Sequence, residues 1–388
     1  MIRLNNGYTS RLFHFLFQKK DNEIQALNGI RALSISLIFI VHTWGFALPI
    51  LPPELQHSTT SRIFLNTNSG VDLFLLLSGF LISLGLKQQW KKTGTLDIRL
   101  FYKKRILRIF PAYYVFILVT TLLLFASHTP FRLNGILIDA LYLSNYLPGQ
   151  LPHTWSLALE EQFYLLFPFL AQYVLFKVNY NKRILLLFIL YAIPVSLRTL
   201  IFLGGVESYQ DFSLRIYNPA HTRFDSIVAG ILLMEIYTEK NNWFSRLNGR
   251  ISFLLFSLAL ILLYLGHNSY YTPDSINYHI TRFNFINSGF SVLFIIALGK
   301  NRLNRFFSSG FFRPIARTSY TMYLWQFIFG GIGARLTPGL NFSVFSWSSY
   351  LYGLFSVFFF NFLFSILLFG LVEYPFLRKK EMLNKTRI

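Results

Sequence analysis

The chain has 388 residues, of which 53% are hydrophobic and 19% aromatic but only 13% charged. Because soluble domains are usually about a quarter charged, this composition excludes an ordinary soluble fold. Cysteine is absent, which excludes a disulfide framework, a thiolate nucleophile and a cysteine metal site. The formal charge of +20 is scattered in short clusters between apolar blocks, so nucleic acid is not an expected partner.

Apolar residues occur in blocks long enough to cross about 30 Å of hydrocarbon. We therefore predict an all-α, polytopic integral membrane protein with about ten transmembrane helices. A shorter apolar piece at 135–147 is interpreted as a half-length or re-entrant helix, which is tolerated inside protein or beside a cavity. The predicted spans are 30–50, 70–86, 109–126, 157–176, 184–203, 222–238, 251–266, 283–299, 318–334 and 350–372.

Lys and Arg residues set the predicted orientation, because positive residues are retained on the cytoplasmic side of a membrane. The stretch 87–108 between the second and third spans is strongly basic, and Asp97 is its only acid. Alternation from this loop places both termini in the cytoplasm, with 376–388 as a basic tail. The segment 1–28 is predicted to be an amphipathic cytoplasmic helix lying on the membrane. No linker or repeat is visible, so 1–388 is interpreted as one membrane domain.

The first span carries Arg31 and His42. Eleven steps of about 100° bring the two side chains to nearly the same helix face, about 16 Å apart along the axis. Ionisable groups in a membrane usually face a cavity or a partner, which favours a functional pair. The alternative is an Arg that marks the membrane edge and a His bonded to a neighbouring helix.

Two further stretches place charge beside apolar helices. Asp72 is the single acid of the second span and needs a partner, as a structural ion pair, a helix cap or a functional group. Arg105 and Arg108 are three residues apart, so both guanidinium groups lie on one face and can grip phosphates. A positive-inside anchor that contacts anionic lipid is the alternative for this pair.

A third motif, His153 to Pro168, brings Glu160 and Glu161 into a span. One carboxylate could orient an imidazole while the other caps the helix, or both could simply be caps. Arg223 and Asp225 open another span and are interpreted as an internal ion pair. No phosphate-binding glycine loop, zinc-type His spacing or nucleophile elbow is present, so no metal is expected and His42 is the candidate activator of a nucleophile.

Taken together, these stretches resemble the bacterial membrane acyltransferase-3 family over nearly the whole chain. One departure is Gln326, at a position where family members often carry His after a Tyr-Leu-Trp pattern. Some members also append an extracellular esterase-like domain, and we do not expect one within these 388 residues. The resemblance is carried by Arg31 with His42, the run 71–82, Arg105 with Arg108, the run 155–164, the run 223–225 and the run 373–376.

The resemblance implies an O-acetyltransferase of the bacterial inner membrane. It implies an acyl-CoA donor, most often acetyl-CoA, bound from the cytoplasm by Arg31, Arg105 and Arg108, with no permanently bound cofactor. His42, oriented by Glu160 or Glu161, would act as general base on an acceptor hydroxyl, or would form an acyl-His intermediate. The expected acceptor is an extracytoplasmic or lipid-linked glycan such as O-antigen or exopolysaccharide. Supporting or substrate-binding roles fall to Asp72, Trp155, Ser156, Tyr164, Arg223 and Asp225.

Two other classes of protein remain as alternatives. A transporter or flippase of a glycan or small metabolite would use the intramembrane charges as a substrate or proton path. Paired broken helices in two repeated halves, which are typical of such proteins, are not visible in the sequence. A non-catalytic membrane scaffold would not need the Arg31 and His42 register. The sequence does not indicate an oligomeric state.

Overall fold

A computed structural model of the protein describes residues 6–20, 23–335 and 345–385. Every regular element in these ranges is helical, which confirms the all-α prediction. The α-helices of the first half are α1 (Asn6–Phe17), α2 (Ala26–Ala47), α3 (Pro53–Gln56), α4 (Thr59–Leu65), α5 (Gly70–Thr93), α6 (Ile98–Ala126), α7 (Leu133–Ala140), α8 (Thr154–Tyr173) and α9 (Tyr180–Leu203).

The second half is also helical and contains short π-helical turns at Ser213–Tyr217, Asn277–Thr281 and Phe369–Glu373. Its α-helices are α10 (Tyr209–Phe212), α11 (Asp225–Glu239), α12 (Asn241–Ser245), α13 (Gly249–His267), α14 (Arg282–Leu298), α15 (Arg302–Phe307), α16 (Phe312–Arg335), α17 (Trp347–Leu368) and α18 (Tyr374–Lys385).

Polar side chains cap the starts of several of the long helices. Asp97 caps α6 by accepting the backbone N–H of Leu100 at 2.8 Å. Asn179 and Asn248 cap α9 and α13 in the same way, each at 3.0 Å from the backbone nitrogen three residues on. These side chains satisfy donors that the first helical turn leaves unpaired, so the helix starts are encoded locally.

Seven stretches in the described ranges are long and apolar enough to cross a membrane. They support a multi-pass membrane protein. The helices predicted at 157–176, 222–238 and 318–334 are present as α8, α11 and α16 but are not among the seven. The predicted short piece at 135–147 contains the eight-residue helix α7. The seven stretches are Ala26–Ile50, Thr59–Thr93, Ile98–Ala126, Tyr180–Leu203, Gly249–His267, Asn277–Leu298 and Trp347–Met382.

The contacts divide the chain into two compact units that alternate along the sequence. The first, called the terminal unit here, comprises 1–70, 101–116 and 301–388. It is built on α2, α16 and α17, which pack against one another. An aromatic cluster stabilises it, because Trp44 is fully buried among Phe64, Phe345 and Tyr350 and donates to the Ser61 hydroxyl at 2.9 Å.

The second, called the central unit, comprises 71–100 and 117–300. Glycines allow α5 and α11 to approach closely, because a Cβ atom on Gly79 would overlap the Ile227 carbonyl and one on Gly230 would overlap the Leu76 carbonyl. The antiparallel neighbours α13 and α14 pack alongside, again with glycines at their contact. Close backbone packing of this kind is the usual way in which membrane helices associate.

The predicted amphipathic helix of 1–28 is present as α1, but one face docks on protein. Leu16 is buried against Phe369 and Tyr374, while Phe13 remains 63% exposed. The surface helix is thus an integral part of the terminal unit and leaves only its outer face for the membrane. Residues 1–5 of the predicted segment and 386–388 of the predicted tail lie outside the described ranges.

Candidate active site and buried ion pairs

Helix α2 holds both Arg31 and His42, as the spacing predicts. The two side chains are half-buried. The ring of Phe327 meets the His42 imidazole edge-on, with 4.7 Å between ring centroids. The neighbouring Gln326 amide interacts with the imidazole, although neither of its amide atoms completes a full hydrogen bond within the described ranges. The residue that departs from the family pattern is therefore the polar neighbour of His42.

Arg105 and Arg108 lie in the first part of α6 and are half-buried. The prediction began this span at 109, but the helix begins at Ile98, so the basic segment is continuous with the apolar one. The charge of Arg108 acts on Glu373, which is buried in the π-helical turn after α17. The sequence analysis noted this Glu only as part of the 373–376 run and did not assign it a role.

A small, partly open crevice lies beside Glu373. Thr321 donates its hydroxyl to the Glu373 carboxylate, so one polar pair faces an otherwise apolar wall. Thr321 and Trp325 are one turn apart on α16, and Gln326 is the next residue. Helix α16 therefore lines the crevice with Thr321 and Trp325, and its next two residues, Gln326 and Phe327, lie against His42. The lining residues are Ala112, Val115, Thr321, Trp325, Leu368, Val372 and Glu373.

The predicted carboxylate pair lies on α8 in the central unit. Glu160 accepts hydrogen bonds from the Ser78 hydroxyl and from the Tyr164 hydroxyl one turn later. Glu161 is half-buried. Because α8 begins at Thr154, neither carboxylate lies in the first turn, and the interpretation of this pair as helix caps is wrong. The pairing of His42 with Glu160 or Glu161 stays a prediction.

The Arg223 and Asp225 pairing was also predicted incorrectly. Arg223 instead pairs with Asp72 at 2.6 Å, and Asp225 pairs with Arg198 at 2.8 Å. Ser226 donates a further hydrogen bond to Asp72 at 2.9 Å. Residues two apart on the entry to a helix point in different directions, so each finds its partner on another helix. The need of Asp72 for an ionic partner is confirmed.

Aromatic rings surround the Arg223 guanidinium. Its central carbon lies 4.5 Å from the Phe283 ring centroid, 4.6 Å from that of Tyr217 and 5.5 Å from that of Trp155. Trp155 is thus part of the packing around a buried cation. The hydroxyl of Ser156, the next residue, donates to the His153 carbonyl at 3.3 Å. Tyr164 contacts Glu160, as described above.

A second buried ionic group was not anticipated. Lys87 contacts Glu235 at 2.6 Å and Glu239 at 2.9 Å, and Arg183 contacts Glu235 at 2.9 Å. The Glu235 side chain is fully buried. The sequence analysis missed this group and the pair of Arg198 with Asp225. Arg198 and Glu235 are charged residues inside apolar helices, and such charges require partners, so both groups left a signal in the sequence. Among the described residues no group of His, Asp and Glu suits a metal ion.

These features define a multi-pass helical membrane protein that carries half-buried His and Arg side chains. Residues 24–370 match the model of the acyltransferase-3 family, described as an acyltransferase domain, and the chain belongs to this family.

Curated relatives agree with this assignment. The chain is similar to O-acetyltransferase OatA of Staphylococcus aureus, with 27% identity over 327 residues that cover 78% of this chain and 50% of OatA. A second protein from strain COL of that species, named "Putative O-acetyltransferase", is 29% identical over 344 residues, covering 81% of this chain and 52% of its own length. The chain thus spans about half the length of these relatives. No solved structure matches the chain.

Proposed function

We propose that this protein is a membrane O-acetyltransferase that moves an acetyl group from acetyl-CoA to a hydroxyl of an extracytoplasmic glycan. Family membership and the names of the relatives support the acyl-transfer class. The observation that carries the proposal is the arrangement along α16 in the terminal unit. This helix lines the crevice beside Glu373 through Thr321 and Trp325, and its Phe327 contacts His42.

The donor would enter with its phosphates at Arg105 and Arg108, where planar guanidinium groups offer paired donors. Its pantetheine arm, which ends in the thioester, would pass along Thr321 and Trp325 of α16. Arg31, on the same helix as His42, supplies a further positive charge for the donor. In this arrangement the thioester reaches His42 while the nucleotide stays at the basic end of α6.

The chemistry that we assign to His42 is general base catalysis. A ring nitrogen of neutral His42 takes the proton of the acceptor hydroxyl as its oxygen attacks the thioester carbonyl carbon. A carbon–oxygen bond forms, the carbon–sulfur bond breaks, and the imidazolium returns the proton to the departing sulfur, which leaves as the CoA thiol. A base in this position contributes about 10² to 10⁴ in rate.

The proposed setting is the inner membrane of a bacterium, with about ten spans and both termini in the cytoplasm. The strongly basic stretch 87–108 supports this orientation through the positive-inside rule. Together with the seven long apolar stretches, helices α8, α11 and α16 would give ten spans. Acyl-CoA would then bind from the side on which it is made, and the glycan acceptor from the other side.

A complementation experiment tests the proposal. The source bacterium lacking this gene would express the wild type, His42→Gln or the control His128→Gln, which alters an exposed loop residue. We expect mass spectrometry of envelope glycans to show O-acetylation with the wild type and the control, and none with His42→Gln. Calorimetry on purified protein in nanodiscs would measure acetyl-CoA binding to the wild type and to an Arg105→Ala, Arg108→Ala double variant. Full O-acetylation with His42→Gln, or unchanged binding in the double variant, would contradict the proposal.

A further inference from the structure

Two connecting segments of the central unit, 204–221 and 267–282, meet in a cluster of aromatic rings. The proposed orientation puts both segments on the outer side of the membrane, because each follows a span that leaves the cytoplasm. Each contains a short π-helical turn, and such turns are frequent at functional sites. The outer aromatic cluster, as it is called here, comprises Phe202, Tyr209, Phe212, Tyr271, Tyr278 and His279.

His279 lies among these rings and has one unused nitrogen. The side chain is fully buried, and the ring centroids of Phe202 and Phe212 lie 5.1 Å and 5.2 Å from its own. Its Nδ1 lies 2.7 Å from the Ser275 carbonyl oxygen and therefore carries a proton, because a carbonyl can only accept. Its Nε2, which is an acceptor in the neutral ring, is buried and has no hydrogen-bond partner in the described part of the chain.

A second unpaired polar atom lies on the neighbouring ring. The centroid of the Tyr271 ring is 5.5 Å from that of His279, and the Tyr271 hydroxyl is buried without a hydrogen-bond partner among the residues that the structure describes. Leaving such atoms unpaired costs free energy, so each requires an explanation. A donor beside an acceptor suits a molecule with several hydroxyl groups, since a hydroxyl can accept from the phenol and donate to the imidazole.

The cluster reaches the protein surface through Tyr209. This residue is 55% exposed and meets the Tyr271 ring edge-on, with 5.5 Å between centroids. Rings near the surface with hydrogen-bonding atoms beside them offer both contacts that a sugar makes, which are stacking against its ring and hydrogen bonds to its hydroxyls. The acyl chain of a lipid would contact the rings but leave the two polar atoms unpaired. The combination therefore favours a carbohydrate.

We propose that the outer aromatic cluster is a subsite for the acceptor glycan. A sugar unit stacks on Tyr209, and its hydroxyls bond to the Tyr271 hydroxyl and to Nε2 of His279. This inference rests on the proposed function, in which the acceptor is an extracytoplasmic glycan. The subsite binds the acceptor and has no part in the proton transfer assigned to His42, so its loss weakens glycan binding and leaves donor binding unaffected.

The test measures acetyl transfer by the full chain in nanodiscs, from acetyl-CoA to envelope glycan extracted from a strain that lacks this gene. The variants are Tyr271→Phe, which removes only a hydroxyl, and His279→Asn, whose amide can still donate to the Ser275 carbonyl. The control Tyr270→Phe removes a hydroxyl from the adjacent residue, which is 54% exposed. We expect each variant to raise the KM for the glycan about tenfold, as for the loss of one hydrogen bond, without changing the KM for acetyl-CoA. The control should change neither.

Thermal unfolding in detergent separates glycan binding from a structural role. Because Tyr271→Phe removes a buried polar atom and keeps the ring, its unfolding temperature should be unchanged or higher. A lower unfolding temperature with an unchanged KM for the glycan would overturn the inference in favour of a structural water at this hydroxyl. An equal rise in both KM values, or no change in either, would also overturn it. If the wild type transfers no acetyl group to the glycan, the proposed function is rejected, together with the acceptor assigned to this subsite.

Discussion

Removing one member of the buried Asp72 and Arg223 ion pair should destabilise the protein more than replacing both. The side chains are 3% and 0% exposed, and 2.6 Å separates Arg223 Nη2 from Asp72 Oδ1. Asp72→Ala leaves a buried guanidinium without its carboxylate and also removes the acceptor of the Ser226 hydrogen bond. Breaking such a pair costs about 3–5 kcal/mol, whereas replacing both members with apolar side chains is often nearly neutral.

The assay is thermal unfolding in detergent, followed by size-exclusion fluorescence, for Asp72→Ala, Arg223→Met and the double variant Asp72→Leu, Arg223→Met. The control is Arg215→Ala, which breaks an ion pair of similar length, 3.0 Å, whose side chains are 43% and 27% exposed. Exposed pairs contribute about 0–1 kcal/mol, so the control should unfold close to the wild type. If Asp72→Ala unfolds no earlier than the control, the assigned structural role of this ion pair is wrong.

Two further substitutions test other parts of the fold. Gly230→Ala should abolish folding, because its Cβ would overlap a carbonyl of α5. The control Gly85→Ala should be tolerated, because a Cβ there would meet nothing within 4 Å. Equal yields of folded protein from the two variants would contradict the close packing of α5 and α11. The pKa of Glu23 is lowered because the nearby Asn28 amide and the charge and 2.9 Å hydrogen bond of Arg317 outweigh the opposing effect of burial. The stability that ionised Glu23 contributes is therefore present above its unfolded-state pKa near 4.5 and is lost as pH falls through the lower folded-state pKa. Glu23→Gln should accordingly reduce the unfolding temperature at pH 7 but not at pH 3. An identical reduction at both values of pH would refute this assignment.

Helical periodicity allowed some features to be predicted and hid others. The Arg31 and His42 register follows from a repeat within one helix, so the sequence contains it directly. The start of α6 was predicted too late because the span was recognised by its run of apolar residues, and that run begins only after the charged residues. Lys and Arg are good helix formers, so the helix itself begins earlier. The same limitation moved the predicted start of α8 past Thr154 and made the Glu pair resemble caps.

Ion-pair partners were harder to predict than helices. Asp72 and Arg223 are 151 residues apart, and no local pattern favours that partner over Asp225, two residues from the Arg. The choice depends on which helices are adjacent, and that in turn depends on glycines that let α5 and α11 meet. Glu373 was missed for a related reason, since Thr321, whose hydroxyl donates to its carboxylate, lies on α16.

The ion pairs also narrow the choice of catalytic base. A carboxylate paired with a buried Arg is tied to that partner, because separating the two leaves an uncompensated buried charge. Asp72, Asp225 and Glu235 are all in this condition. Glu160 differs, because its partners in the described part of the chain are the neutral hydroxyls of Ser78 and Tyr164 and it forms no ion pair there. His42 likewise contacts an aromatic ring and an amide. Neither Glu160 nor His42 belongs to an ion pair in the described part of the chain, and acyl transfer to a hydroxyl requires a group that can accept a proton.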